Sequence, residues 1–144
     1  MHNQLKLENQ LCFRLYTASR LITQAYHPLL DEIGLTYPQY LVMMVLWEKD
    51  KMPVNDIAKK LLLETNTVTP LLKRMETAGF IKRDKGEDDG RQVIVSLTEK
   101  GKGLEEKASC IPYKMGSAVA CRSITAESAP ELFRTLDDLI KTLV

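Results

Sequence analysis

"MPVNDIAKKLLLETNTVTPLLKRMETAGF", residues 52–80, holds two apolar stripes of helical period separated by only a few residues. Val54, Ile57, Ala58, Leu61 and Leu62 make the first stripe, and Val68, Leu71, Leu72 and Met75 make the second. Each follows the i, i+3, i+4, i+7 spacing that puts side chains on one face of a helix. Two short helices joined by a tight connection around Leu63 to Thr65 have the sequence shape of a helix-turn-helix. The second helix leaves Asn66, Thr67, Thr69, Lys73 and Arg74 off its apolar stripe. Small hydrogen-bonding residues at its start and basic ones further on suit a helix that enters a major groove, N-terminal end towards base edges. Pro70 is expected near the end of the first turn, where a missing N–H costs least. Gly79 is placed to stop the helix in a left-handed conformation.

Downstream the period changes to two. In "FIKRDKGEDDGRQVIVSLTEKG", Phe80–Arg83 and Gln92–Leu97 read as paired strands around a polar loop with glycines at 86 and 90. A hairpin directly after a helix-turn-helix is a wing. Arg91 stands on its descending side within reach of a minor groove, and Asp89 is placed to hold it by a charge-assisted hydrogen bond. The loop tip is acidic, with Glu87, Asp88 and Asp89, so phosphate contacts are expected from Lys82, Arg83, Lys85 and Arg91.

Helices flank this segment. Leu5 to Leu30 repeats apolar residues at helical spacing, with Pro28 near its close. "DEIGLTYPQYLVMMVLWE" then offers a break at Gly34, a cap at Thr36, a proline in the first turn and an almost wholly apolar helix. Helical patterns return over Glu99–Ala108 and Pro130–Val144, with a bent or broken segment between them. The expected fold is mainly α with a small β-hairpin wing, a single 1–144 domain. Its DNA-binding part spans about 36–100, and the helices of about 4–30 and 99–144 are left for dimerisation.

Composition limits the function. The chain of 144 residues has a formal net charge of only +1, so any basic surface must be local. No apolar run is long enough for a membrane helix and the start has no signal-peptide pattern, so a cytoplasmic protein is expected. Three widely spaced cysteines and two isolated histidines match neither a disulfide framework nor a metal site. No cofactor motif and no paired acid and base stand out, so an enzyme is not expected.

"TNTVTPLLKRMETAGFIKR" followed by "DGRQVIVSLT", in which Asp89, Arg91, Leu97 and Thr98 form D-x-R-x5-L-T, resembles the winged helix-turn-helix of MarR-family regulators. With "LCFRLY" and "LTYPQYLVMMVLWE" the chain further resembles the organic hydroperoxide sensor branch of that family, over about Leu7 to Lys107. The resemblance implies a homodimer joined through its N- and C-terminal helices and bound to palindromic double-stranded operator DNA. It also implies a repressor released by organic hydroperoxide, with Cys12 as redox sensor and Tyr26 and Tyr37 hydrogen-bonded to its sulfur. A second thiol completes such chemistry in two-cysteine sensors. Cys121 is favoured as the resolving cysteine because theirs lie in this later segment, and Cys110 is the lesser candidate.

The residues can be read without the family. Tyr16 lies four positions after Cys12, on the same helix face. Tyr26 lies fourteen positions on, about 21 Å along a straight helix, so it reaches only the Cys12 of a partner. Phenolic donors aimed at sulfur favour the thiolate, which is the peroxide nucleophile. Cys12 as a small buried hydrophobe and the tyrosines as core aromatics are the plain alternatives. Two other functions stay open: a MarR-type repressor released by a small aromatic ligand, with structural cysteines, and a thiol peroxidase.

Overall fold

A computed structural model describes residues 1–117 and 123–144. The chain forms two compact units, Met1–Cys110 and Ile111–Val144. The first holds α1 (Leu11–Asp31), α2 (Tyr37–Glu48), β1 (Met52–Pro53), α3 (Val54–Leu61), α4 (Thr65–Thr77), β2 (Ile81–Lys85), β3 (Val93–Leu97) and α5 (Glu99–Ala108). The second holds α6 (Ile111–Met115) and α7 (Ala129–Leu143).

The first helix starts later than its apolar period suggests. Residues 3–5 and 7–9 are two single 3-10 turns, and α1 begins at Leu11 rather than Leu5. Polar side chains compete for the backbone there. Asn9 Nδ2 donates to the Asn3 carbonyl (2.8 Å), Gln10 Nε2 to that of Gln4 (2.6 Å), and Arg14 Nη2 to that of Glu8 (2.6 Å). Carbonyls satisfied in this way have no need of a helical partner. Cys12 therefore stands in the first turn of α1, not in mid-helix. Pro28 lies inside the helix, which continues to Asp31.

Gly34 takes the left-handed conformation (φ 75°) that turns the chain, and the Leu35 N–H closes on the Leu30 carbonyl. Thr36 then caps α2 in a reciprocal box with Gln39: the Gln39 N–H donates to Thr36 Oγ1, and the Thr36 N–H to Gln39 Oε1. The core is built on α2, which buries Tyr40, Val42, Met43, Val45 and Leu46. Against it stand Val54, Ile57 and Ala58 of α3 and Val68, Leu71, Leu72 and Met75 of α4, members of the two expected stripes; Leu61 is only half-buried. Leu62 is no part of the first stripe. It ends α3 with φ 56° and is 58% exposed, because the left-handed turn that starts the connection swings it outward. Pro70 is the sixth residue of α4, in the second turn rather than the first.

Gly79 (φ 86°) ends α4 as expected and leads into an antiparallel sheet of order β1-β3-β2. Ile81 pairs with Leu97 and Lys85 with Val93, so each wing strand runs one or two residues differently from its alternation. Met52 and Pro53 add a short third strand beside Val95 and Ile94. The corner where α4 meets the wing is held from behind by α5. Thr98 Oγ1 donates to the Gly79 carbonyl (2.6 Å), Lys100 Nζ to that of Ala78 (2.9 Å), and Trp47 Nε1 to that of Gly101 (3.0 Å). A Cβ on Gly101 would stand 2.2 Å from the Phe80 carbonyl oxygen, so only glycine allows α5 this close.

In the second unit, Thr125 and Ser128 cap one another ahead of α7. Helix α7 carries Leu132, Phe133, Ile140 and Leu143 and buries none of its residues. The part of the expected bent segment at 118–122, including Cys121, lies outside the described residues.

Candidate DNA-reading surface and sensor residues

Helix α4 turns its apolar stripe to the core and so presents Asn66, Thr67, Lys73 and Arg74 to solvent. Thr69 is half-buried, and its hydroxyl donates to the Thr65 carbonyl (2.9 Å). Thr65 Oγ1 in turn donates to Asn55 Oδ1 (3.2 Å), which fixes the start of α4 against α3. Among the threonines proposed for DNA, Thr67 keeps its hydroxyl free of such bonds among the described residues.

The wing loop is closed by its own backbone, with the Gly86 N–H on the Gln92 carbonyl (2.8 Å) and the Gln92 N–H on that of Asp89 (3.1 Å). Asp89 does not pair with the Arg91 guanidinium as expected. Its carboxylate accepts the Arg91 backbone N–H (3.0 Å), a local turn that competes for the same oxygens. The Arg91 guanidinium has no ion pair among the described residues. Lys85 is exposed nearby.

Arg83 is held differently. Glu76 of α4 accepts its backbone N–H at 2.8 Å on Oε2, and Nη2 (3.1 Å) and Nε (3.3 Å) on Oε1. These hydrogen bonds, the backbone one first, hold the Glu76 carboxyl below its ordinary range. Arg83, Asp89 and Arg91 line a groove of about 360 Å³ with Asn55, Thr65 and Thr69. Sequence reading missed Glu76 and Asn55. The one signal for Glu76 was an acid off the apolar stripe, seven residues before an arginine and across a glycine turn.

Cys12 is exposed, and Tyr16, one turn on, is exposed at 66%. Tyr26 of α1 and Tyr37 of α2 are brought together, ring centroids 4.9 Å apart, and both are half-buried. Tyr40, which the sequence reading did not single out, completes the cluster at 5.9 Å from Tyr26 and 6.3 Å from Tyr37, and it meets Trp47 edge-on. Burial first, and then the neighbouring phenols, push the Tyr26 and Tyr40 hydroxyls above their usual value of 10. Both thus remain hydrogen-bond donors at neutral pH. Cys12 and Tyr26 lie near opposite ends of α1, about 21 Å apart at 1.5 Å per residue. Cys110 is exposed, its sulfur 3.5 Å from the Lys107 carbonyl.

A family profile for the transcriptional regulator SarA/Rot matches residues 24–108. The organic hydroperoxide resistance transcriptional regulator of Bacillus subtilis is 45% identical over 141 residues, 98% of this chain and 94% of that one. This chain belongs to the MarR family of winged helix-turn-helix transcriptional regulators. Among solved structures the regulator is similar to AbfR of Staphylococcus epidermidis. Reduced AbfR bound to DNA superposes with TM-score 0.81 at 37% identity, covering 99% of this chain and 97% of that one. Disulfide-formed AbfR gives 0.62 at the same identity, covering 97% and 91%. A mutant MarR from E. coli, complexed with operator DNA, shares the fold at 18% identity (TM-score 0.82, covering 90% and 92%). The relatives are transcription regulators, not enzymes, and AbfR is seen bound to DNA. No helix among the described residues is long and apolar enough to cross a membrane.

Proposed function

We propose that this regulator is a repressor that binds palindromic operator DNA as a homodimer and lets go when an organic hydroperoxide oxidises Cys12. The observation that carries the reading is the Tyr26–Tyr37 pair. Two half-buried phenols from different helices meet at 4.9 Å, in a chain whose α1 starts with an exposed cysteine too distant to be their own partner. Apolar side chains left uncovered on α1 (Leu11, Phe13, Leu21) and on α7 (Phe133, Ile140, Leu143) support pairing of two copies through these helices. In such a pair the phenols of one subunit donate to the Cys12 sulfur of the other. The name of the 45% identical relative and the disulfide form of AbfR support the choice of oxidant and of thiol chemistry.

The thiolate attacks the terminal oxygen of R–O–O–H. An S–O bond forms, the O–O bond breaks, sulfur loses two electrons, and the alkoxide leaves as ROH after taking a proton. The sulfenic acid then condenses with a second thiol, giving a disulfide and water. Cys121 is the proposed partner, ahead of Cys110. A disulfide needs Cα atoms within about 7 Å, so its formation across the dimer would drag the helices that space the two DNA-reading heads. Asn66, Thr67 and Thr69 are assigned to base edges, Lys73, Arg74 and Lys85 to phosphates, and Arg91 to the minor groove.

The test is promoter binding by reduced protein with and without a small organic hydroperoxide. Wild type should be released, and Cys12→Ser should fold, dimerise, bind and stay bound. Release of Cys12→Ser by peroxide would remove the sensor assignment. Release of fully reduced protein by a small aromatic compound alone would replace the redox reading with ligand control.

A further inference from the structure

We propose that Glu76 and Arg83 are positioning residues for the wing, and that Arg83 places Arg91 on DNA instead of binding a phosphate itself. The inference rests on the wing docking through Arg91. Its ground is the unusual way one carboxylate holds one residue. Glu76 Oε2 takes the backbone N–H of Arg83, and Oε1 takes the guanidinium. Strand β2 is the sheet edge with β3 its one neighbour, and the ladder bonds at Phe80–Thr98 and Gly86–Gln92 leave Arg83 at a position whose N–H turns outward, where no strand stands to accept it. Glu76 supplies the missing acceptor from α4, the helix that reads DNA. One carboxylate thus fastens both the main chain and the side chain of the wing's ascending strand to the reading helix.

Charge accounting gives the second argument. Arg83 is 22% exposed and its charge is met at 3.1 Å by Glu76. Of the two arginines lining the groove, Arg91 is the one with no ion pair among the described residues. A phosphate would have to compete with a carboxylate already bound through two guanidinium nitrogens, whereas Arg91 is free to turn outward. Beyond Met52 and Pro53, which pair with Val95 and Ile94, β2 and β3 run on alone as a lever that starts at the Gly79 corner. Fixing Arg83 near its base, opposite Val95, fixes the direction in which residues 86–92 project.

Electrostatics and positioning predict opposite signs for one substitution. Glu76→Gln removes a negative charge from a surface that approaches DNA, so simple Coulomb attraction would tighten binding. Loss of the clasp instead loosens the wing and should weaken operator binding about three- to tenfold. Arg83→Gln should weaken binding to a similar degree and leave the slope of log K against log salt unchanged. A lost phosphate contact would lower that slope by about one. The decisive readout is the pair with Arg91→Ala. On wild type that change should cost a large factor, and on the Glu76→Gln background much less, because an unplaced Arg91 has little left to lose. Thermal unfolding and dimer state are measured alongside; if Glu76→Gln does not fold, Arg83→Lys, which keeps the charge and loses the forked geometry, takes its place in the cycle. Equal or tighter binding by Glu76→Gln overturns the proposal, as does a flattened salt slope in Arg83→Gln or additivity with Arg91→Ala. If Arg91→Ala has no effect on wild type, wing docking itself fails and the clasp's role falls with it.

Discussion

Two glycines in α5, two residues apart, should respond to the same substitution with opposite signs. Gly101→Ala places a methyl group 2.2 Å from the Phe80 carbonyl oxygen, 3.2 Å from its carbon and 3.3 Å from Leu97 Cδ2. The first distance is about 1 Å short of ordinary contact, and the obstacle is backbone, which no rotamer change removes. Relief requires α5 to retreat from the α4–β2 corner. That retreat loosens the Thr98 N–H bond to the Phe80 carbonyl (3.1 Å) and the Trp47 bond to the Gly101 carbonyl (3.0 Å). Overpacking of this kind costs about 1–3 kcal/mol or more, and two weakened hydrogen bonds add about 1 kcal/mol each. Alanine's better helix propensity returns about 1 kcal/mol. A net loss of about 2–4 kcal/mol follows. Gly103 has no atom within 4 Å of its would-be Cβ, so Gly103→Ala gains the propensity alone, about 0.5–1 kcal/mol. For a chain of this size each kcal/mol moves the melting temperature by about 2–4 °C. Calorimetric melts at one protein concentration should show Gly101→Ala falling by several degrees and Gly103→Ala rising by one to a few. A Gly101→Ala protein as stable as wild type would refute the close-packed corner.

Arg91→Ala should weaken operator binding by about 1–3 kcal/mol and lower the salt slope by about one, read from titrations at several salt concentrations. Thr36→Ala removes the side-chain half of the α2 capping box and should cost about 1 kcal/mol, seen as a lower urea midpoint with an unchanged m-value. Tyr26 and Tyr40 should ionise above the usual phenol value of 10. The folded state holds these protons more tightly than the unfolded chain, so their contribution to stability is full below pH 10 and is lost as pH rises through the raised values. Phenolate absorbance should show two late-titrating groups, and Tyr26→Phe should ease the ionisation of Tyr40; a single step for all tyrosines at the usual value would contradict the cluster.

Elements whose burial follows a period were open to reading from sequence. The four buried positions of α4, the Thr36 cap, the Gly34 and Gly79 turns and the Glu99–Ala108 helix all stand where local pattern put them. Periodicity counts apolar residues and is blind to φ, so it ran on through Leu62, which the left-handed turn exposes. It equally missed the start of α1, where side-chain amides and Arg14 take carbonyls that a helix would have used. Strand β1 is two residues long and contains a proline, too short for any alternation. At the site, the exposed face of α4 was legible because it rests on spacing, whereas Tyr26 and Tyr37 came from the family resemblance and their contact across α1 and α2 was not foreseen. The Glu76–Arg83 clasp and the third phenol, Tyr40, were not legible either, since each depends on where two elements meet in space.

Helix α1 carries Cys12 in its first turn and Tyr26 fourteen positions later. Under the proposed pairing, a single chain therefore owns both halves of a sensor that it can never close on itself. Sensing would be a property acquired at assembly, and a newly made subunit would meet peroxide without the phenols that activate its thiol. The same geometry makes the two sites of a dimer exchange parts. When a Cys12→Ser chain pairs with a Tyr26→Phe chain, one site receives both substitutions and the other receives neither. Two individually insensitive proteins would then restore, in their hybrid, one intact sensor per pair of DNA-reading heads.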